Sequence, residues 1–163
     1  METKFEFAKS LILGAGDFLR KHMDEPFEVT VKTDFTDLVT DLDKAVQDFL
    51  VSRIRETYPQ DCFFAEEDDS RQSVEQGQVW VIDPIDGTSN FVAQKDDFAI
   101  VLAYFEDGVG QFGLIYDVMA DRLYHGGGQF DVYCNNTPLQ PYQDRPLRQS
   151  LAIVNPGMCI ANT

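Results

Sequence analysis

The most informative residues are Asp83-Pro84-Ile85-Asp86-Gly87-Thr88. Two aspartates three apart in a rigid turn can converge on one point, and Glu66, at the end of another predicted strand, can join them. Without a cation the arrangement is unfavourable: like charges about 4 Å apart repel by roughly 4 kcal/mol at an effective dielectric near 20. An all-oxygen set with no nearby His or Cys suits a hard ion, Mg2+ or Mn2+, over zinc. Gly87 permits a close approach that a side chain would block. Thr88-Ser89-Asn90-Phe91-Val92 can begin a helix whose free N–H groups attract an anion such as phosphate. Taken alone, Asp-Pro-x-Asp-Gly also reads as an ordinary turn. A metal cluster, a helix start and the Thr88 hydroxyl together are what metal-assisted phosphoester hydrolysis requires.

Strands must deliver these groups. Cys62-Phe63-Phe64-Ala65 and Val79-Trp80-Val81-Ile82 read as buried strands, each ending on a carboxylate, and Pro84 is expected to end the second in a defined bend. Phe5, Ala8, Ile12, Ala15, Leu19 and His22 mark one face of an opening helix. A second helix is predicted from about Asp41 to Thr57, capped by Thr40 or Asp41, with Ala45, Val46, Phe49, Leu50 and Ile54 on its buried side. Ala99 to Phe105 and Gln111 to Val118 form a hairpin around Glu106-Asp107-Gly108, and Arg122 to His125 continues the meander. Gly126-Gly127-Gly128 reads as a flexible turn, since no Lys-Ser or Lys-Thr follows as in a phosphate loop. Leu151-Ala152-Ile153-Val154 suggests one more strand. This order predicts an α+β fold: a layered α/β sandwich with two N-terminal helices on a mostly antiparallel sheet.

A chain of 163 residues with 44% hydrophobic content supports one globular domain. Its formal charge of -15 argues against a nucleic-acid surface, because phosphate backbones are held by clustered Lys and Arg. Cys62, Cys134 and Cys159 show no paired spacing, so a reducing cytoplasm is expected. Leu11-Ile12-Leu13 is too short for a membrane span or signal segment.

The run Trp80-Val81-Ile82-Asp83-Pro84-Ile85-Asp86-Gly87-Thr88-Ser89-Asn90-Phe91-Val92 resembles, nearly residue for residue, the signature of the inositol-monophosphatase family of magnesium-dependent, lithium-sensitive phosphatases. Asp37-Leu38-Val39-Thr40-Asp41-Leu42-Asp43, with Lys32 upstream, resembles the family's Asp-Leu-Val-Thr-x-x-Asp, and Phe64-Ala65-Glu66-Glu67 resembles its Gly-Glu-Glu element. The resemblance implies a sugar-phosphatase-type N-terminal domain over residues 1–163, with the family's C-terminal domain absent. It implies that Glu66, Asp83, Asp86 and the Ile85 carbonyl hold Mg2+, with Mn2+ as the alternative ion. Thr88 supported by Asp43, together with Glu66, would activate the attacking water. Ile85, Asp86, Gly87 and Thr88 would meet the substrate, with the amides of Gly87 and Thr88 receiving its phosphate. A homodimer is implied by the resemblance alone.

Two departures matter. Ala65 replaces the usual Gly, which is expected to be tolerated if the backbone there has negative φ. The family's later Trp-Asp-x-Ala-Ala motif, whose Asp completes the second metal site, does not occur. The expected activity is therefore hydrolysis of a small phosphate monoester, inositol monophosphate or a related polyol phosphate first. The alternatives are a nucleotide 3′-phosphate substrate, or an incomplete or non-catalytic domain that binds metal and phosphate.

Overall fold

The computed structural model describes residues 1–31, 38–65 and 73–140. Helix α1 (Glu2–His22) forms where apolar residues recur at helical spacing, and Phe5, Ala8, Leu11, Ile12, Ala15 and Leu19 are buried along it. Its last turn carries Arg20, Lys21 and His22, matching the negative end of the helix dipole. His22 is structural: its ring packs on Phe18, and Nδ1 lies 2.7 Å from the Phe18 carbonyl.

Strands β1 (Val29–Val31) and β2 (Leu38–Thr40) pair antiparallel as a small arm leading into helix α2 (Asp41–Thr57). Three-residue strands show too little alternation for sequence reading to find them. Helix α2 has the predicted limits, and its cap is Thr40. The Thr40 side chain accepts from the Asp43 amide while the Asp43 carboxylate accepts from the Thr40 amide, a capping box.

The main sheet has seven strands in chain order: β3 (Cys62–Ala65), β4 (Gln78–Asp86), β5 (Ala99–Glu106), β6 (Val109–Asp117), β7 (Arg122–Gly127), β8 (Phe130–Cys134) and β9 (Thr137–Pro138). Only β3 and β4 run parallel. Helix α3 (Thr88–Gln94) stands between β4 and β5. The β5–β6 hairpin closes through Asp107 and Gly108, both at positive φ (46° and 80°), the geometry that matches strand twist. Residues Trp80, Ile82, Ile100, Leu102, Tyr104, Phe112, Leu114 and Tyr116 meet the buried faces of α1 and α2 in one core. The result is the expected α+β layering.

Three details differ from expectation. Strand β3 is an edge strand with one neighbour, so Cys62, Phe63 and Phe64 are only half-buried and Ala65 alone is fully covered. The glycine cluster is a tight crossing: a Cβ on Gly126 would overlap the Asp131 carbonyl, and one on Gly128 the Gln111 carbonyl. Strands β8 and β9 follow it, where mixed polar residues gave no strand pattern. The expected strand at Leu151–Val154 lies outside the described residues.

Lys4 ties the first turn of α1 to the sheet. Its Nζ donates to Asp61 Oδ2 at 2.7 Å and to Tyr104 OH at 2.9 Å, while Trp80 Nε1 donates to the same Asp61 oxygen at 2.8 Å. Such a buried ion pair holds one geometry because each member has hydrogen-bond partners. Among the described residues, no helix is long and apolar enough to cross a membrane.

Candidate functional site

Strand pairing decides where the carboxylates point. In a regular strand, residues three apart face opposite sides of the sheet. Here Asp83 pairs with Val101 and Asp86 with Ala99, so three steps along β4 answer two along β5. Paired residues share a face, and Ala99 and Val101 share one because they are two apart. The extra residue of this bulge therefore turns Asp83 and Asp86 to the same side. Pro84 bends β4 without ending its pairing, which corrects the expectation of a strand terminus there. Both aspartates lie on the sheet face opposite the core residues Ile100 and Leu102. Oδ1 of Asp83 is shielded from solvent, whereas Asp86 is exposed.

The parallel register carries the second strand to the same level. Ala65 pairs with Ile82, so the pairing between β3 and β4 ends one position before Glu66 on one chain segment and Asp83 on the other, while β4 itself continues to Asp86. Glu66 lies outside the described residues, as do Lys32 and Asp37. Ala65 has no positive φ, so the side chain is accommodated where the resemblance expects glycine.

Beyond Asp86, the chain turns through Gly87 at φ 90° and enters α3. A Cβ at Gly87 would lie 3.1 Å from the Asp97 carbonyl, so both the conformation and the space favour glycine. The Gly87 carbonyl accepts from the amides of Asn90 and Phe91 at 2.9 and 3.0 Å, which closes the first turn of the helix.

The same turn brings Thr88 onto α2. Thr88 Oγ1 stands 3.2 Å from Asp43 Oδ1 and 2.9 Å from the Ile85 carbonyl, with one hydroxyl proton for the two acceptors. Asp43 is 2% exposed, and its other oxygen receives the Thr40 amide at 2.8 Å and the Thr40 hydroxyl. The capping box that starts α2 thus also fixes the carboxylate facing Thr88. The two residues are 45 positions apart, and their contact is the one the family resemblance implied.

The structure thus places Asp83 and Asp86 on one face and brings Ile85, Thr88 and Asp43 into one hydrogen-bonded group. Gly87 joins the two sets. Among the described residues no three His, Cys, Asp or Glu side chains gather as a metal site. The donor set at the end of β4, two carboxylates and a main-chain carbonyl, is all oxygen and fits a hard divalent cation in type. The bulge and the loop after α3 were not legible beforehand; Pro84 within a strand pattern was the available signal for the bulge.

The model of the "Inositol monophosphatase family" matches residues 1–156. The inositol-1-monophosphatase of Bacillus subtilis (strain 168) is 41% identical over 152 residues, covering 92% of this chain and 57% of that protein. The crystal structure of a staphylococcal IMPase-II superposes with a TM-score of 0.82 at 41% identity, covering 95% of this chain and 56% of the other. An IMPase/NADP phosphatase complexed with Mg2+ and phosphate superposes with a TM-score of 0.78 at 28% identity, over 84% of this chain and 52% of that one. The chain therefore spans a little over half the length of the relatives it matches.

Proposed function

The chain belongs to the inositol monophosphatase family, and from that premise we propose that it forms the metal- and phosphate-binding half of a phosphatase acting on a small phosphate monoester. Inositol monophosphate or a related polyol phosphate is the first substrate class. The observation that carries the reading is the β4 bulge, which sets Asp83 and Asp86 on one face beside the Thr88–Asp43 pair.

In this reading Asp83, Asp86, the Ile85 carbonyl and Glu66 hold Mg2+, with Mn2+ as the alternative. When bound, the cation supplies Lewis acidity toward the phosphoryl and leaving oxygens. The protein's own groups do the rest. Thr88 donates its proton to Asp43, which leaves a lone pair on Oγ1 to accept from the attacking water and aim it. Asp43, buried and held by Thr40, keeps that donor direction fixed. Glu66, carried over from the family motif, shares in orienting the same water. The Gly87 and Thr88 amides meet the phosphate, next to Ile85 and Asp86, and hold it for in-line attack. The likeness to an IMPase/NADP phosphatase favours a second reading for the substrate, a phosphate on a nucleotide ribose. The same family likeness supports a homodimer as the working form, which light scattering measures, and the unpaired spacing of the cysteines supports a reducing cytoplasm.

The test is phosphate release from inositol 1-phosphate and from 3′-AMP, with and without millimolar Mg2+. Mg2+-dependent release from the first supports the reading, and release from the second alone moves the substrate class. Mg2+ and phosphate binding without release from either would make the chain a binding domain that needs the remainder of the family's length to turn over.

A further inference from the structure

We propose that Asn90 is a positioning residue for the Thr88–Asp43 pair, acting by tying the loop that leaves α3 back across the turn that enters it. This inference rests on the phosphatase reading for its consequence in turnover, but the tie itself is a property of the chain. Asn90 is solvent-exposed, and nothing about an exposed Asn in a short helix calls for that residue: Ala there would favour the helix. Its side chain is nonetheless committed. Nδ2 donates to the Asp97 carbonyl at 3.0 Å, and the Asn90 amide donates to the Gly87 carbonyl at 2.9 Å. One residue thus bonds both the turn that enters the helix and the loop that leaves it.

The segment it holds has an unfavourable backbone. Lys95 and Asp97 both stand at φ 54°, a left-handed conformation disfavoured for residues with a Cβ. Local bonds support it: the Lys95 amide donates to the Phe91 carbonyl at 3.0 Å, Gln94 Nε2 to Asp97 Oδ2 at 3.2 Å, and the Asp97 amide to Asp96 Oδ1 at 2.9 Å. Lys95 also reaches Asp24 after α1, at 2.8 Å. None of these crosses to the entry turn. The Asn90 bond does, and it holds the Asp97 carbonyl close to Gly87, where a Cβ would lie 3.1 Å from that oxygen. Gly87 immediately precedes Thr88, whose hydroxyl must stay within reach of Asp43 Oδ1, already at 3.2 Å. Strain held beside a reactive group, with one bond crossing to the turn that carries that group, is the pattern expected of a preorganised site.

The experiment compares the parent chain with Asn90→Ala and Asn90→Asp. The aspartate keeps the size but presents only acceptors to the Asp97 carbonyl. Amide hydrogen exchange at Asn90, Phe91 and Lys95 should quicken about tenfold in both variants, the effect of one lost hydrogen bond. For release of phosphate from inositol 1-phosphate, kcat should fall about tenfold while KM changes less than twofold, because alignment and not substrate grip is lost. Exchange that is unchanged or slower in Asn90→Ala would overturn the tie, leaving an ordinary helix position. Quicker exchange with unchanged kcat would overturn the positioning role. Absence of release by the parent would count against the phosphatase reading alone, since exchange still decides whether Asn90 holds the turn.

Discussion

Replacing Asp43 separates two roles that the fold assigns to one carboxylate. Oδ2 receives the Thr40 amide and hydroxyl, and Oδ1 faces the Thr88 hydroxyl. Asp43→Ala leaves the Thr40 amide and hydroxyl without their acceptor, in a residue only 2% exposed. Each such group costs about 1–3 kcal/mol, while the Thr40 cap itself survives because it accepts from the backbone amide of residue 43. The expected loss is about 3–5 kcal/mol. Asp43→Asn keeps an oxygen for the Thr40 amide and must turn its NH2 toward Thr88. Its cost is the weakening of charge-assisted bonds to neutral ones, about 1–2 kcal/mol. Turnover should nevertheless fall in both variants: in Asp43→Asn the amide donates to Thr88 Oγ1 and occupies the lone pair meant for water, and in Asp43→Ala the acceptor that directs the Thr88 proton is gone. Urea unfolding followed by fluorescence of Trp80, the one tryptophan and fully buried, measures the stabilities. Equal losses in the two variants, or less than about 1 kcal/mol for Asp43→Ala, would refute the capping argument. Full activity in Asp43→Asn would refute the donor direction.

On the proposed reading, Mg2+ at one hundred times its Kd should stabilise the parent by about 2.7 kcal/mol and raise its melting temperature, and Asp83→Asn should abolish that rise; an undiminished rise would place the ion elsewhere. Gly16→Ala should destabilise by about 1–3 kcal/mol net of the helix propensity gained, because the new Cβ would lie 2.8 Å from Cδ1 of the buried Tyr116 ring and overlap Cε1; calorimetry of the variant checks this. Stability should fall as pH rises above about 10. Burial raises the hydroxyl pKa of Tyr58, Tyr104 and Tyr116, with Asp61, Glu106 and Asp121 respectively adding to it. The unfolded chain therefore releases these protons first, so their contribution is intact below about pH 10 and is lost on the way up to the folded values. Urea midpoints from pH 8 to 12 measure it, and a flat profile would contradict the sign.

What the sequence determined by itself was local in origin. The apolar spacing of Phe5 to Leu19, and for α2 the spacing of Val46, Leu50 and Ile54 after a capping residue at Thr40 or Asp41, place the two helices because periodicity and capping act within a few residues. Asp107-Gly108 sets the hairpin because only certain residues accept its positive φ values. The run Trp80 to Val92 carried the family resemblance and named Asp83, Asp86, Gly87 and Thr88. Tertiary structure alone decided how these groups meet. Whether Asp83 and Asp86 face together depended on one extra residue in β4 against β5, a matter of pairing between strands and not of spacing within one. The Thr88–Asp43 contact required the end of β4 to dock on the first turn of α2, and the Asn90 tie required a strained loop to fold back over Gly87. Such contacts join distant positions at a free-energy cost that only the packed core repays, which is why no local pattern announces them.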